Sequence, residues 1–185
     1  GAQLVVRADK LGSPVVGRHY ASQCTTRALI YMERADEALA NSQSARQLAG
    51  LDADAGFSPY YRALVLIHLA RWAEAQQLVW QMIEQSRIGP EEDDTSVTLL
   101  ANLLEVANRI GDHASIALLR SRLSDQGEFF DAWSLTCIGR HLAAAAAFLG
   151  DTAKASEYNR QALGIATKVR SRPEIALIRL QMAEL

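Results

Sequence analysis

Leu142-Ala-Ala-Ala-Ala-Ala-Phe-Leu-Gly-Asp-Thr-Ala-Lys-Ala155 carries an apolar stripe into a Gly-Asp turn and out again. Before the turn Leu135, Ile138, Leu142, Ala146 and Leu149 recur every three or four residues; after it Ala155, Tyr158, Ala162, Ala166 and Val169 do the same. That spacing is the period of one helix face. Two helices are therefore expected to meet at a tight turn, with Gly150 taking the left-handed conformation that ends the first and Asp151 capping the exposed amides of the second. Ala143 and Ala155 supply the small side chains that let the two axes approach where they cross.

The same signature recurs along the chain as Arg34-Ala-Asp-Glu-Ala38, Arg71-Trp-Ala-Glu-Ala75 and Gly111-Asp-His-Ala-Ser-Ile116. Ala38 to Ala75 is 37 residues, Ala75 to Ile116 is 41, and Ile116 to Ala155 is 39. Periods of this size mark helical-hairpin repeats, each a unit that cannot bury its own apolar face alone. Ala63 and Ala75 look equivalent to Ala143 and Ala155. In the third copy Ile116 stands at the small-residue position, so that crossing is expected to be looser, or shifted to Ala117.

Loop punctuation falls between the hairpins, at Leu51 to Ser58 before Pro59, Gly89 to Thr95, and Ser124 to Gly127. Ser58 with Pro59, and Pro173 with Glu174, read as helix starts. Helices are expected near 17–33, 36–49, 59–70, 72–87, 95–110, 113–124, 131–149, 152–169 and 173–185. Residues 1–17, where Leu4-Val-Val6 and Val15-Val16 are broken by Gly12 and Pro14, read as an irregular lead-in to a repeat domain over 18–185. Leu185 falls in mid-pattern, which suggests a fragment of a longer polypeptide.

The turn Gly150-Asp-x-x-x-Ala155, with Leu142, Ala143 and Ala146 before it and Tyr158 and Ala162 after it, resembles the tetratricopeptide repeat. The likeness covers residues 18–185, with a period longer than the usual 34. It implies an all-α fold, a right-handed α-solenoid of about four helical hairpins plus a C-terminal helix. The stretches Leu142 to Asp151 and Arg172 to Leu185 also look like the C-terminal repeat region of large bacterial signalling and transcriptional regulators, in which the repeats accompany an ATPase, a cyclase or a DNA-binding domain. That likeness implies a sensor or interaction arm.

Composition narrows the function classes. With 19 basic and 21 acidic side chains the net charge is -2, too little to gather phosphate backbones or anionic lipids. No direct nucleic-acid or membrane partner is expected, and the longest apolar run, Leu142 to Leu149, is far short of the roughly 20 residues of a membrane span. Cys24 and Cys137 lie in stretches that read as helix, as buried thiols of a reducing cytoplasm. His19, His68, His113 and His141 are scattered, so no metal site is expected; His141, four residues after Cys137, is read as core packing. No Gly-rich Lys-Ser/Thr phosphate loop occurs, and neither catalysis nor a cofactor is expected. Glu91 to Asp94 reads as favourable charge at a helix start, and Trp72, Trp80 and Trp133 as filling between hairpins.

Stacked hairpins line their concave face with the first helix of each pair. Projecting back from each turn nominates Gln23 and Arg27, then Tyr60, Leu64 and His68, then Glu105, Asn108 and Arg109, then Arg140 and Ala144 as contacts for a ligand or peptide. Arg27, Arg109 and Arg140 are candidate partners for a carboxylate; the bland reading is surface charge or internal ion pairs. The expected function is a protein or peptide interaction scaffold whose partner is another protein, a peptide or a second copy of the chain. The alternative is a small-molecule effector sensor with a pocket between hairpins.

Overall fold

The computed structural model describes residues 2–12, 21, 25–41, 59–91 and 94–185. The turn after Leu149 forms as its sequence requires. Gly150 sits at φ 82°, the Asp151 amide donates to the Ala146 carbonyl at 2.8 Å, and the Asp151 carboxylate accepts the Lys154 amide at 3.1 Å. Gly111 at φ 77° and Asp112, which accepts from the Ser115 amide and hydroxyl, repeat the device. The other turns use the same backbone without glycine: Glu33, Ala70 and Arg170 lie at φ 59°, 56° and 58°. The next amide in each, Arg34, Arg71 and Ser171, donates five residues back at 2.9 Å. In the first two copies a two-bonded ion pair replaces the aspartate cap, Arg34 to Glu37 and Arg71 to Glu74, each at 2.6 Å.

The chain forms two units, Gly1–Leu78 and Val79–Leu185. In the first, α1 (Ala2–Lys10) is followed by helical residues at 25–31 and 35–41, α2 (Pro59–His68) and the start of α3 (Trp72–Gln85). The irregular lead-in expected over 1–17 is thus corrected: residues 2–10 are helical. A β-branched pair costs a helix only a few tenths of a kcal/mol per residue, and Arg7 and Lys10 stand in its last turn, where positive charge is favourable. Residues 13–17, the expected helical parts 17–20, 22–24 and 42–49, the loop 51–58 and Cys24 lie outside the described residues.

The second unit contains α4 (Val97–Ile110), α5 (His113–Leu123), a short 3-10 turn, strands β1 (Phe130–Asp131) and β2 (Thr136–Cys137), α6 (Ile138–Phe148), α7 (Thr152–Lys168) and α8 (Arg172–Glu184). α4 packs on α5 and α6, α6 on α7, and α7 on α8. The helix expected from 131 begins only at Ile138. In its place Phe130 pairs with Cys137 and Asp131 with Thr136 in an antiparallel ribbon, and Leu135 takes φ 54°. Polar bonds to α4 hold this ribbon out of the helix: Thr98 donates to Asp131 at 3.2 Å and Asn102 to Ser134 at 2.6 Å.

Close approach sets the packing of α6. A Cβ on Gly139 would meet the Gly127 carbonyl oxygen at 2.4 Å and the Ala162 methyl at 3.2 Å. Ala143, Ala155, Ala63, Ala75 and Ile116 are all fully buried. The tryptophans depart from expectation. Trp72, Trp80 and Trp133 are 47%, 53% and 63% exposed, so they do not fill the interior. Trp80 instead donates its ring N–H to Asp112. No helix among the described residues is long and apolar enough to cross a membrane.

Candidate functional site

Helical periodicity brings ten side chains of the second unit onto one half-open cleft of about 350 Å³. α4 contributes Glu105, Asn108 and Arg109; α6 contributes Arg140, His141 and Ala144; α8 contributes Leu177, Leu180, Gln181 and Glu184. On each helix the contributors are an adjacent pair with further residues three or four positions away, one stripe per helix.

A buried polar network forms the floor. Glu174, in the first turn of α8, has no solvent exposure. One carboxylate oxygen accepts from the Cys137 amide at 2.8 Å, from Thr136 Oγ1 at 3.1 Å and from Arg140 Nε at 3.1 Å. Arg140 Nη2 reaches Thr136 Oγ1 at 3.1 Å and Glu105 at 3.3 Å. His141, 1% exposed, places Nε2 2.9 Å from Thr136 Oγ1 and 3.7 Å from Glu105. With the single Thr136 proton given to Glu174 and one lone pair to Arg140, the remaining lone pair accepts from His141, which puts a proton on Nε2.

The cluster sets the charge state of the groups within it. Burial pushes the Glu174 carboxyl up, but the attraction and hydrogen bond of Arg140, with help from His141 and the Cys137 amide, outweigh it, and the group lies below its ordinary range. Burial, and then the Glu174 charge, push the Cys137 thiol up to about 12 against the opposing pull of Arg140. Cys137 is therefore a neutral thiol, buried in a strand and not in the helix expected there, with Sγ 3.6 Å from the Ala162 carbonyl.

Two amide side chains complete the cleft wall. Asn108 Nδ2 donates to the His141 carbonyl at 2.9 Å and Gln181 Nε2 to the Arg140 carbonyl at 3.2 Å. Because both partners are carbonyl oxygens, the orientation of each amide is fixed by chemistry: the nitrogen points at α6.

Of the residues nominated by sequence, Glu105, Asn108, Arg109, Arg140 and Ala144 come together here. Arg140 is held internally by Glu105 and Glu174 and is 7% exposed, the ion-pair alternative. In the first unit Arg27 and Leu64 are 3% and 2% exposed, which corrects their placement on an open face. Leu64 lies in Ala63 to Ile67, a run buried throughout, so α2 has no polar side there. Tyr60 is half-buried with its ring 4.5 Å from that of Tyr61, and His68 is exposed. Gln23 lies outside the described residues. The α8 stripe, His141 and Glu174 were missed by the projection. Among the described residues no group of three or more His, Cys, Asp or Glu side chains is arranged to hold a metal ion.

No protein-family model matches the chain, and no curated protein is significantly similar to it in sequence.

Proposed function

We propose that the chain is an interaction module, a right-handed tetratricopeptide-like solenoid that holds a protein or peptide segment against α4, α6 and α8. In this reading it has no catalytic role and needs no cofactor, and it serves as the sensor or interaction arm of a larger cytoplasmic signalling or transcriptional regulator. The observation that carries the proposal is the half-open cleft of about 350 Å³ to which three helices each present one stripe. α4 and α6 open consecutive hairpins and pack on each other, as the first helices of stacked repeats do. Leu177 and Leu180 offer apolar wall beside the polar groups, the mixture from which binding sites are built.

The test is binding of a library of short blocked peptides to the chain and to its Ala144→Trp variant. Ala144 is half-buried on the cleft wall, so an indole there fills the cleft. The variant should keep the helical spectrum and melting temperature and lose peptide binding by at least about tenfold, the worth of one good contact. Binding unchanged by the tryptophan, or no peptide bound at all, would overturn the proposal.

A further inference from the structure

We propose that the second unit pairs with another copy of the chain, two-fold and antiparallel, along the edge that runs from the start of α4 through the β1–β2 ribbon to the turn between α7 and α8. The ribbon orders this edge. On the β1 side the Thr98 hydroxyl of α4 donates to Asp131 at 3.2 Å, and on the β2 side Glu174 of α8 accepts from the Cys137 amide at 2.8 Å. The starts of α4 and α8 are thereby fixed to the two strands, with the ribbon between them.

Charge is divided along the edge. Residues 88–108 and 123–139 contain no lysine or arginine, and from these stretches Asp94, Asp125 and Glu128 stand exposed. At the other flank Lys168, Arg170 and Arg172 are exposed, while the one acid within 161–183, Glu174, is buried on Arg140. None of these six exposed groups has an ion-pair partner among the described residues. Arg122, at the end of α5, is half-buried and turned onto the Gly89 carbonyl at 2.8 Å, so it offsets only part of the negative half.

The ribbon adds apolar surface to the charge. Phe129, Trp133 and Leu135 are exposed, whereas Asp131 and Ser134 among them are buried and bonded to Thr98 and Asn102. The loop is thus held at two points while its large side chains face outward, a display whose ordering is settled before any partner arrives. An edge that is negative at one end and positive at the other is its own complement when a copy is turned by a two-fold axis. Each acidic half then meets a basic half, and the ribbons meet near the axis. A copy laid in the same sense would set like charge on like. Apolar contact supplies the affinity and the charges fix the direction.

Sedimentation velocity tests the pairing. At about 100 µM, above the micromolar Kd of a modest interface, the chain should be a dimer in low salt that weakens in high salt. Trp133→Ser should weaken it by about tenfold or more, the range of an interface anchor. Two charge-reversed proteins, one with Asp125→Lys and Glu128→Lys, the other with Lys168→Glu and Arg172→Glu, should each be monomeric under the same conditions. Mixed together they should dimerise, because both contacts are then between unlike charges. All these positions are exposed, and circular dichroism should show the helix content unchanged. A native chain that is monomeric at this concentration, a dimer that survives both reversals, or no recovery on mixing overturns the proposal. The edge shares no residue with the cleft, so the peptide-binding reading stands or falls separately.

Discussion

Arg140 and Glu174 meet at 3.1 Å with the Glu174 carboxylate wholly removed from solvent, so α8 is joined to α6 by a charge pair whose carboxylate water does not reach. One oxygen of Glu174 also satisfies the Cys137 amide and the Thr136 hydroxyl. Glu174→Ala strands all three donors in the interior. Breaking a buried pair in this way costs about 3–5 kcal/mol, and urea unfolding followed by circular dichroism should show a loss of that order. A loss under about 1 kcal/mol, the range of a surface pair, would mean that the pair is not buried.

Acid should unfold the protein partly through the same carboxylate. Because Glu174 lies below its ordinary value in the folded state, its contribution is complete above that value and is lost as pH falls through the depressed one. Stability of the native chain should therefore decline below about pH 4.5, the ordinary glutamate value. Glu174→Gln, though less stable at neutral pH, should decline less steeply. Parallel acid limbs for the two proteins would contradict this.

The hairpin turns predict opposite outcomes for removing and for adding one methyl group. Ala70 occupies the left-handed region at φ 56°, where a Cβ costs about 1 kcal/mol, so Ala70→Gly should raise the melting temperature. Gly150 stands at φ 82° with open space around it, so Gly150→Ala should lower it by strain alone, again about 1 kcal/mol. Melts of the two variants, measured side by side, check the sign.

Gly139→Ala should be the harsher alanine. Its Cβ would lie 2.4 Å from the Gly127 carbonyl oxygen, a backbone atom that cannot swing aside. Overpacking of this kind costs about 1–3 kcal/mol, and α6 must shift from the Gly127 turn to relieve it. Denaturation midpoints of Gly139→Ala and Gly150→Ala should differ in that order.

The stripe Glu105, Asn108, Arg109, Arg140 and Ala144 was legible in the sequence because helix period and hairpin period together fix which residues share a face. The α8 stripe follows the same helical period, but no turn signature comes after that helix from which its face could be projected. Glu174 carried no signal at all. Beside Pro173 in a first helical turn, a glutamate reads as surface charge near a helix start, and only the ribbon at Thr136 and Cys137 turns it into a buried hub. The ribbon was hidden because Leu135 and Ile138 fall at helical spacing. Leu64 failed for the converse reason: it lies in Ala63 to Ile67, a run buried throughout, which has no outer stripe to project.

The claim that the α4, α6 and α8 face is the binding surface is tested most directly by amide hydrogen exchange with and without a bound peptide. Slowed exchange should cluster at 105–109, 140–144 and 177–184, one segment from each helix. Protection confined to residues outside these three, such as the exposed Trp133 loop, would contradict the account.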